Sequence, residues 1–148
     1  MLFAADGMLG NIAKWLRLAG YDTFYFNTRR KTEIISAARK EGRIILTCDR
    51  RIFEENSDIS VLVESTGTVS QLGEIKKKLN MEVNPELFFT RCSLCNIILE
   101  NKRKNDIMNL VPEHVCASRD EFKQCPSCKR IYWSGDHCKA IRDTLKEL

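Results

Sequence analysis

The sequence predicts an α/β domain with a mostly parallel sheet over residues 1–83, followed by a small metal-stapled module over residues 84–148. Three observations predict it. Strand-like and helix-like segments alternate through the first half, the alternation stops at Asn80–Pro85, and two Cys-x-x-Cys pairs lie beyond that stop. Repeated strand–helix–strand units call for a parallel sheet with helices packed on its faces.

Leu2-Phe3-Ala4-Ala5 is a short apolar run suited to a buried strand. From Met8 to Ala19 the apolar residues recur at helical spacing, and Gly20 stands at the C-cap position. Asp22–Phe26, rich in Thr, Tyr and Phe, reads as a strand. Thr32–Glu41 places Ile34, Ile35, Ala37 and Ala38 on one helical side, with Gly42 as the stop. Arg43–Cys48 holds the run Ile44-Ile45-Leu46 of a fully buried strand, and a turn of helix follows Asp49. Ile59–Val63 supplies a fourth strand, and Val69–Leu79 a further helix.

At 148 residues, the chain can bury one ordinary core, or a core of about 80 residues plus a small stapled module. No apolar run approaches the roughly 18 residues of a membrane span. Met1–Gly10 carries Asp6 and no basic stretch, so no secretory leader is expected and a reducing, cytoplasmic location is. The net charge is +4, with 13 basic and 11 acidic side chains in residues 1–83 and 11 and 9 in residues 84–148. That even, mild excess permits nucleic-acid binding without demanding it.

In a reducing compartment paired cysteines read as metal ligands rather than disulfides. Cys92-Ser-Leu-Cys95 and Cys125-Pro-Ser-Cys128 are matched knuckles with 29 residues between them. Two intervening residues let one tight turn offer two thiolates, and four thiolates close the tetrahedron of a structural zinc ion. Such a site contributes about 10–16 kcal/mol in small finger peptides, enough to hold a module with few apolar residues. Cys48 reads as a small core residue. Cys116, Cys138, His114 and His137 fit no ligand spacing as well and are expected in structural or surface roles.

In an open parallel sheet, ligands gather beyond the carboxyl ends of the strands. Asp6 follows the first strand, Asn27 the second and Asp49 the third. Carboxylates converging on one rim repel each other unless a cation joins them, and oxygen ligands suit Mg2+ or Mn2+. Such an ion can activate water and stabilise charge on a phosphate. A plainer reading stands beside this one: Asp49 caps the following helical turn, and Asp6 before Gly7 makes a turn. Lys14 and Arg17 share a face of the first helix, either to meet phosphate or as a solvated face, and Glu33 by its pattern faces solvent.

Several segments, in this order and spacing, carry a resemblance. They are Asp6-Gly-Met-Leu-Gly, Lys14-Trp-Leu-Arg-Leu-Ala-Gly-Tyr-Asp22, Arg43-Ile-Ile-Leu-Thr-Cys-Asp-Arg50, Gln71-Leu72, Phe89-Thr-Arg-Cys-Ser-Leu-Cys-Asn96, and Phe122 through His137 with its Tyr132-Trp133-Ser-Gly-Asp-His. Over nearly its whole length the chain resembles the Mut-seven C-terminal RNase family, PIN-like nuclease domains carrying a zinc ribbon. The resemblance implies a PIN-like three-layer fold, Asp6 and Asp49 as metal-binding acids, and Cys92, Cys95, Cys125 and Cys128 as zinc ligands. With that resemblance the expected function is an endoribonuclease of single-stranded RNA using Mg2+ or Mn2+, in which Lys14 and Arg17 position the RNA backbone and Tyr132 and Trp133 either stack bases or fill the ribbon core. The chain departs from the family at the start of the second helix, where an acid is usual and Arg29-Arg30-Lys31-Thr32 stands instead. Glu33 is then the nearest third acid, with Glu54 and Asp58 as substitutes. The departure leaves room for a non-catalytic RNA-binding or ribosome-associated module, or a nuclease governed by a protein partner.

Overall fold

A computed structural model describes residues 1–27 and 30–147, excepting the side chains of Asp136 and His137. Four strands, β1 (Leu2–Asp6), β2 (Asp22–Phe26), β3 (Ile44–Thr47) and β4 (Ser60–Leu62), form one sheet in the order β2-β1-β3-β4. All three pairings are parallel, with Ala5 opposite Leu46 and Leu46 opposite Val61, so the carboxyl ends of the strands line one edge. Helices α1 (Gly10–Leu18), α2 (Lys31–Glu41), α3 (Arg50–Glu55) and α4 (Thr68–Leu79) connect and cover them.

Strand alternation divides the core into two halves. Phe3, Ala5 and Leu46 point to one face, where Leu9, Ile12, Leu16, Leu72 and Ile75 from α1, α4 and the turn before α1 close over them. Ala4 and Ile45 point to the other, against Ile34 and Ala38 of α2 and Ile52 of α3. This is the expected three-layer α/β arrangement. The run Ile44-Ile45-Leu46 has no polar alternation because both faces of its strand are covered.

Element ends follow local chemistry. The predicted helix from Met8 begins instead as a 3-10 turn, Gly7–Leu9, whose first N–H is taken by the Asp6 carboxylate. Gly42 ends α2 at φ 64°, the left-handed conformation that a Cβ disfavours. Gly20, at φ 94°, follows α1 where a Cβ would lie 2.6 Å from the Leu87 carbonyl oxygen.

The second sheet is antiparallel: β5 (Glu100–Lys102), β6 (Phe122–Gln124) and β7 (Ile131–Trp133). The stretch between the two knuckles contains β5 and two short helices, α5 (Lys104–Ile107) and α6 (Glu113–Ser118). Ile107 and Val115 from these helices bury against Phe122, giving the insert a core of its own. The last helix, α7 (Asp136–Glu147), returns to the first domain, where Ile141 and Leu145 pack with Leu18, Ala19 and Phe88. The two sheets are thus separate while the packing between their parts is continuous.

Gly20→Ala is expected to cost about 1–3 kcal/mol, since it adds a left-handed non-glycine residue and a clash with fixed backbone. Urea unfolding with an unchanged midpoint would show that the Leu87 segment yields.

Candidate metal centres and the carboxylate rim

The four knuckle sulfurs all lie within 4.8 Å of one another, and Cys92 Sγ is 3.7 Å from Cys128 Sγ. Zinc–sulfur bonds of about 2.3 Å in a tetrahedron put sulfurs about 3.8 Å apart, so the donor set fits the ion. The two knuckles repeat one backbone pattern. Asn96 N–H donates to the Cys92 carbonyl at 2.9 Å and Lys129 N–H to the Cys125 carbonyl at 3.0 Å. Asn96 and Lys129 both take positive φ, 65° and 60°, which swings the chain back after each turn.

Burial opposes ionisation of Cys92, but the Tyr132 hydroxyl at 3.1 Å and the N–H groups of Cys95 and Leu94 outweigh it and bring the thiol down to about 6. Burial and the neighbouring sulfurs push Cys95 up to about 12. Four thiols in so small a volume cannot all ionise without a cation. A structural metal such as zinc accounts for the arrangement. Tyr132 is half-buried and its hydroxyl is spent on the knuckle.

The first knuckle is docked on the edge strand of the parallel sheet. Thr23 N–H donates to Asn96 Oδ1 at 3.0 Å, and Thr23 carbonyl accepts from Arg17 Nε at 2.8 Å. Arg17 Nη1 continues to the carbonyls of Ser93, 3.1 Å, and Leu94, 2.8 Å. Beside them Asp22 accepts from Arg43 at 2.6 Å and Asn96 Nδ2 at 2.9 Å, with Arg91 at 3.4 Å. Burial works against the Asp22 carboxylate, yet Asn96, Arg43 and Arg91 together hold it below its ordinary range. Arg43 is itself buried, bonded to the Phe3 carbonyl and stacked 3.6 Å over the Phe24 ring.

This overturns one expectation. Arg17 is only 7% exposed and its guanidinium is consumed by three carbonyls, so it does not meet a phosphate. The helical face shared with Lys14 is misleading because the knuckle, distant in sequence, covers one end of it. Lys14 is exposed.

Asp6 and Asp49 do stand on one rim. Strand order reverses between β1 and β3, the switch point at which a crevice opens beyond the strand ends. Thr47, fully buried at the end of β3, donates to Asp6 Oδ2 at 2.8 Å and accepts from Asp49 N–H at 3.0 Å. One hydroxyl therefore holds the Asp6 carboxylate and the Asp49 backbone. Asp49 Oδ1 also caps α3 through the N–H groups of Arg51, 2.9 Å, and Ile52, 3.4 Å. Asn27, exposed after β2, has its side-chain oxygen next to Gly7.

The third acid does not arrive. Glu33 is 47% exposed and pairs with Arg30 at 3.4 Å, while Asp58 is held by Arg39 at 2.9 Å. Glu54 is exposed on α3. Among the described residues, the four cysteines are the only group of three or more candidate ligands within 4.8 Å of one another. Lys31, the first residue of α2, donates to Asp49 Oδ2, and this bond first, then the α3 N–H groups, keeps the Asp49 carboxyl below its ordinary pKa. The helix that was expected to bring a carboxylate brings an ammonium.

One acid near the rim escaped the sequence reading. Burial opposes ionisation of Glu74, but Lys78 and the N–H groups of Ser65 and Glu64 outweigh it and hold its pKa down to about 2. Its charge and that of Asp6, after burial, push the Cys48 thiol up. Nothing in the α4 sequence distinguishes Glu74 from a surface glutamate. The partnership forms only when the loop after β4 folds over it.

The other polar candidates are dispersed. His114 is exposed on α6 and Cys116 half-buried beside it, Cys138 Sγ donates to the Trp133 carbonyl at 3.3 Å, and the His137 side chain lies outside the described residues. None of the seven cysteines is in a disulfide. Among the described residues no helix is long and apolar enough to cross a membrane.

The sequence matches the Mut7-C RNAse domain family over residues 1–145. The chain belongs to that family. No curated protein and no solved structure matches it. A Mut7-C RNAse domain points to a nuclease or RNA-related role.

Chelating the structural metal is expected to release the knuckle from β2 and lower the melting temperature, with loss of near-ultraviolet signal from Tyr132. An unchanged melting curve after verified metal removal would show that the thiol cluster folds alone. Arg17→Gln and Asn96→Ala each remove one partner of Thr23, and each is expected to cost about 2–3 kcal/mol. In a double-mutant cycle they should couple by about 0.5–3 kcal/mol, because both close the same strand edge. Strict additivity would mean that the two bonds are independent.

Proposed function

We propose that the chain is a divalent-metal-dependent endoribonuclease of single-stranded RNA, acting in the cytoplasm, with Asp6 and Asp49 as the acids that hold Mg2+ or Mn2+. The observation that carries the reading is the Thr47 hydroxyl joining the Asp6 carboxylate to the Asp49 backbone at the sheet's switch point. Family membership supplies the nuclease class.

The oxygen donors are of the right chemical kind for a hard cation. A divalent ion held there supplies charge stabilisation for a scissile phosphate and lowers the pKa of water. The chain's own residues prepare the site. Thr47 and Gly7 N–H orient the two oxygens of Asp6, and the first turn of α3 orients Asp49. Lys14 and Asn27, both exposed, are the proposed contacts to the RNA backbone.

A second reading has its own observation. Lys31 already supplies a positive charge to Asp49, and no third carboxylate joins the pair among the described residues. Both facts favour weak metal binding, and with it a module that holds RNA, in a ribosomal or protein-partnered setting, without cutting it.

A cleavage assay on unstructured RNA with Mn2+ separates the two. The wild type is expected to cleave, Asp6→Asn and Asp49→Asn to lose at least about a hundredfold, and Lys31→Gln to need less Mn2+ for half-maximal rate. Equal cleavage by wild type and both aspartate variants would sink the mechanism. RNA binding without cleavage under any divalent metal, in the wild type and in Lys31→Gln, would establish the non-catalytic reading.

A further inference from the structure

Of the three aromatic residues on β2, one has no task in the core. Strand alternation turns Phe24 and Phe26 to the α2 side, where Phe24 carries the Arg43 guanidinium and Phe26 packs against the cluster of Ile34 and Ala38. Tyr25 stands on the other side. It joins no apolar cluster among the described residues and remains 37% exposed.

Its ring is nevertheless fixed. The hydroxyl donates to the Gly7 carbonyl at 2.8 Å, and the ring lies on Gly10. A Cβ at Gly10 would stand 3.1 Å from both Cζ and Oη of Tyr25 and 3.4 Å from Cε2, which puts it over the ring rather than beside its edge. Gly10 is helical, with φ −59°, so the position does not call on a glycine's backbone freedom. Its missing side chain serves instead to seat the Tyr25 ring.

That seat is at the carboxylate rim. Gly7, which accepts from Tyr25, also gives its N–H to Asp6 Oδ1, and the exposed Asn27 lies next to it. Gly7 and Gly10 follow β1, on the inner side of β2, so the ring leans inward on them. Its other face looks past the edge of the sheet, where no further strand of that sheet stands. With the hydroxyl already spent on Gly7, what Tyr25 offers a ligand is a flat aromatic surface. Such a surface suits a base that is not stacked inside a duplex. Asn27 adds a donor and an acceptor for a base edge.

We infer that Tyr25 stacks an unpaired RNA base beside the phosphate held at the Asp6–Asp49 rim, and so selects single-stranded substrate there. The inference rests on the RNA-directed reading above and needs neither cleavage nor a divalent ion at the rim.

Anisotropy of a labelled five-nucleotide RNA, titrated with the metal-loaded full chain and no added divalent ion, reads the contact. Five further strands each lack one base. At one position, loss of the base should weaken wild-type binding about tenfold, or ~1.4 kcal/mol. Tyr25→Leu should weaken the complete strand by the same factor and bind that abasic strand no worse than the complete one. Tyr25→Phe keeps the ring and should stay within about twofold of wild type. Gly10→Ala leaves the tyrosine in place but fills its seat, and should reproduce the loss and the abasic pattern of Tyr25→Leu even where that variant folds poorly. Wild-type binding of the complete strand, with no abasic position coupled to Tyr25, would overturn the inference alone. A loss in Tyr25→Phe as large as in Tyr25→Leu would assign the effect to the hydroxyl and overturn stacking. No binding of the strand by wild type would overturn the RNA-directed reading, and this inference with it.

Discussion

The architecture depends on how the edge of the parallel sheet is closed. Strand β2 pairs only with β1, and its outer N–H and C=O groups need partners. Thr23 finds them in Asn96 and Arg17. An open edge invites pairing with another chain. Here it is covered by a turn whose shape four cysteines enforce. Arg17 reaches both the strand and the knuckle carbonyls, so the metal centre and the α/β core stabilise one another through one guanidinium. The charge also matches: four thiolates around a divalent ion carry about −2 overall, and Arg17 lies close enough to Cys92 and Cys95 to feel them.

The same junction explains the buried charges of this small protein. Asp22, Arg43 and Arg91 would be costly to bury singly. Together with Asn96 and the Phe3 carbonyl they satisfy one another, and among the described residues no buried side-chain polar atom lacks a partner. The cluster ties β1, β2 and the start of β3 to the second module. The carboxylate rim lies at the opposite ends of these strands, so a rigid junction at one end leaves the other free to carry chemistry.

At that rim a single buried hydroxyl does the positioning. Thr47 joins Asp6 to the start of α3, and the parallel register brings Ala5 beside Leu46 so that the two acids become neighbours. The Lys31 ammonium then gives the site its particular character. It lowers the repulsion that two carboxylates would otherwise feel and competes for the oxygen that a second cation would use. In the function proposed for the rim, cutting RNA rather than only holding it turns on the balance between that ammonium and a divalent ion.

The sequence by itself determined the alternation of elements, the layered α/β class, the four-cysteine centre and the placement of Asp6 and Asp49 after the first and third strands. These are local signals: periodicity, glycine stops at Gly20 and Gly42, paired cysteine spacing, and an acid directly after an apolar run. Only the tertiary structure decided what Arg17, Lys31, Glu74 and Asn96 do. Each looks like an ordinary surface residue in its own segment, and each gains its role from a partner between 9 and 77 residues away. Periodicity reports which side of a helix is apolar. It does not report which distant turn will fold onto the polar side, and that contact made Arg17 a bridge between modules and brought Lys31 to Asp49.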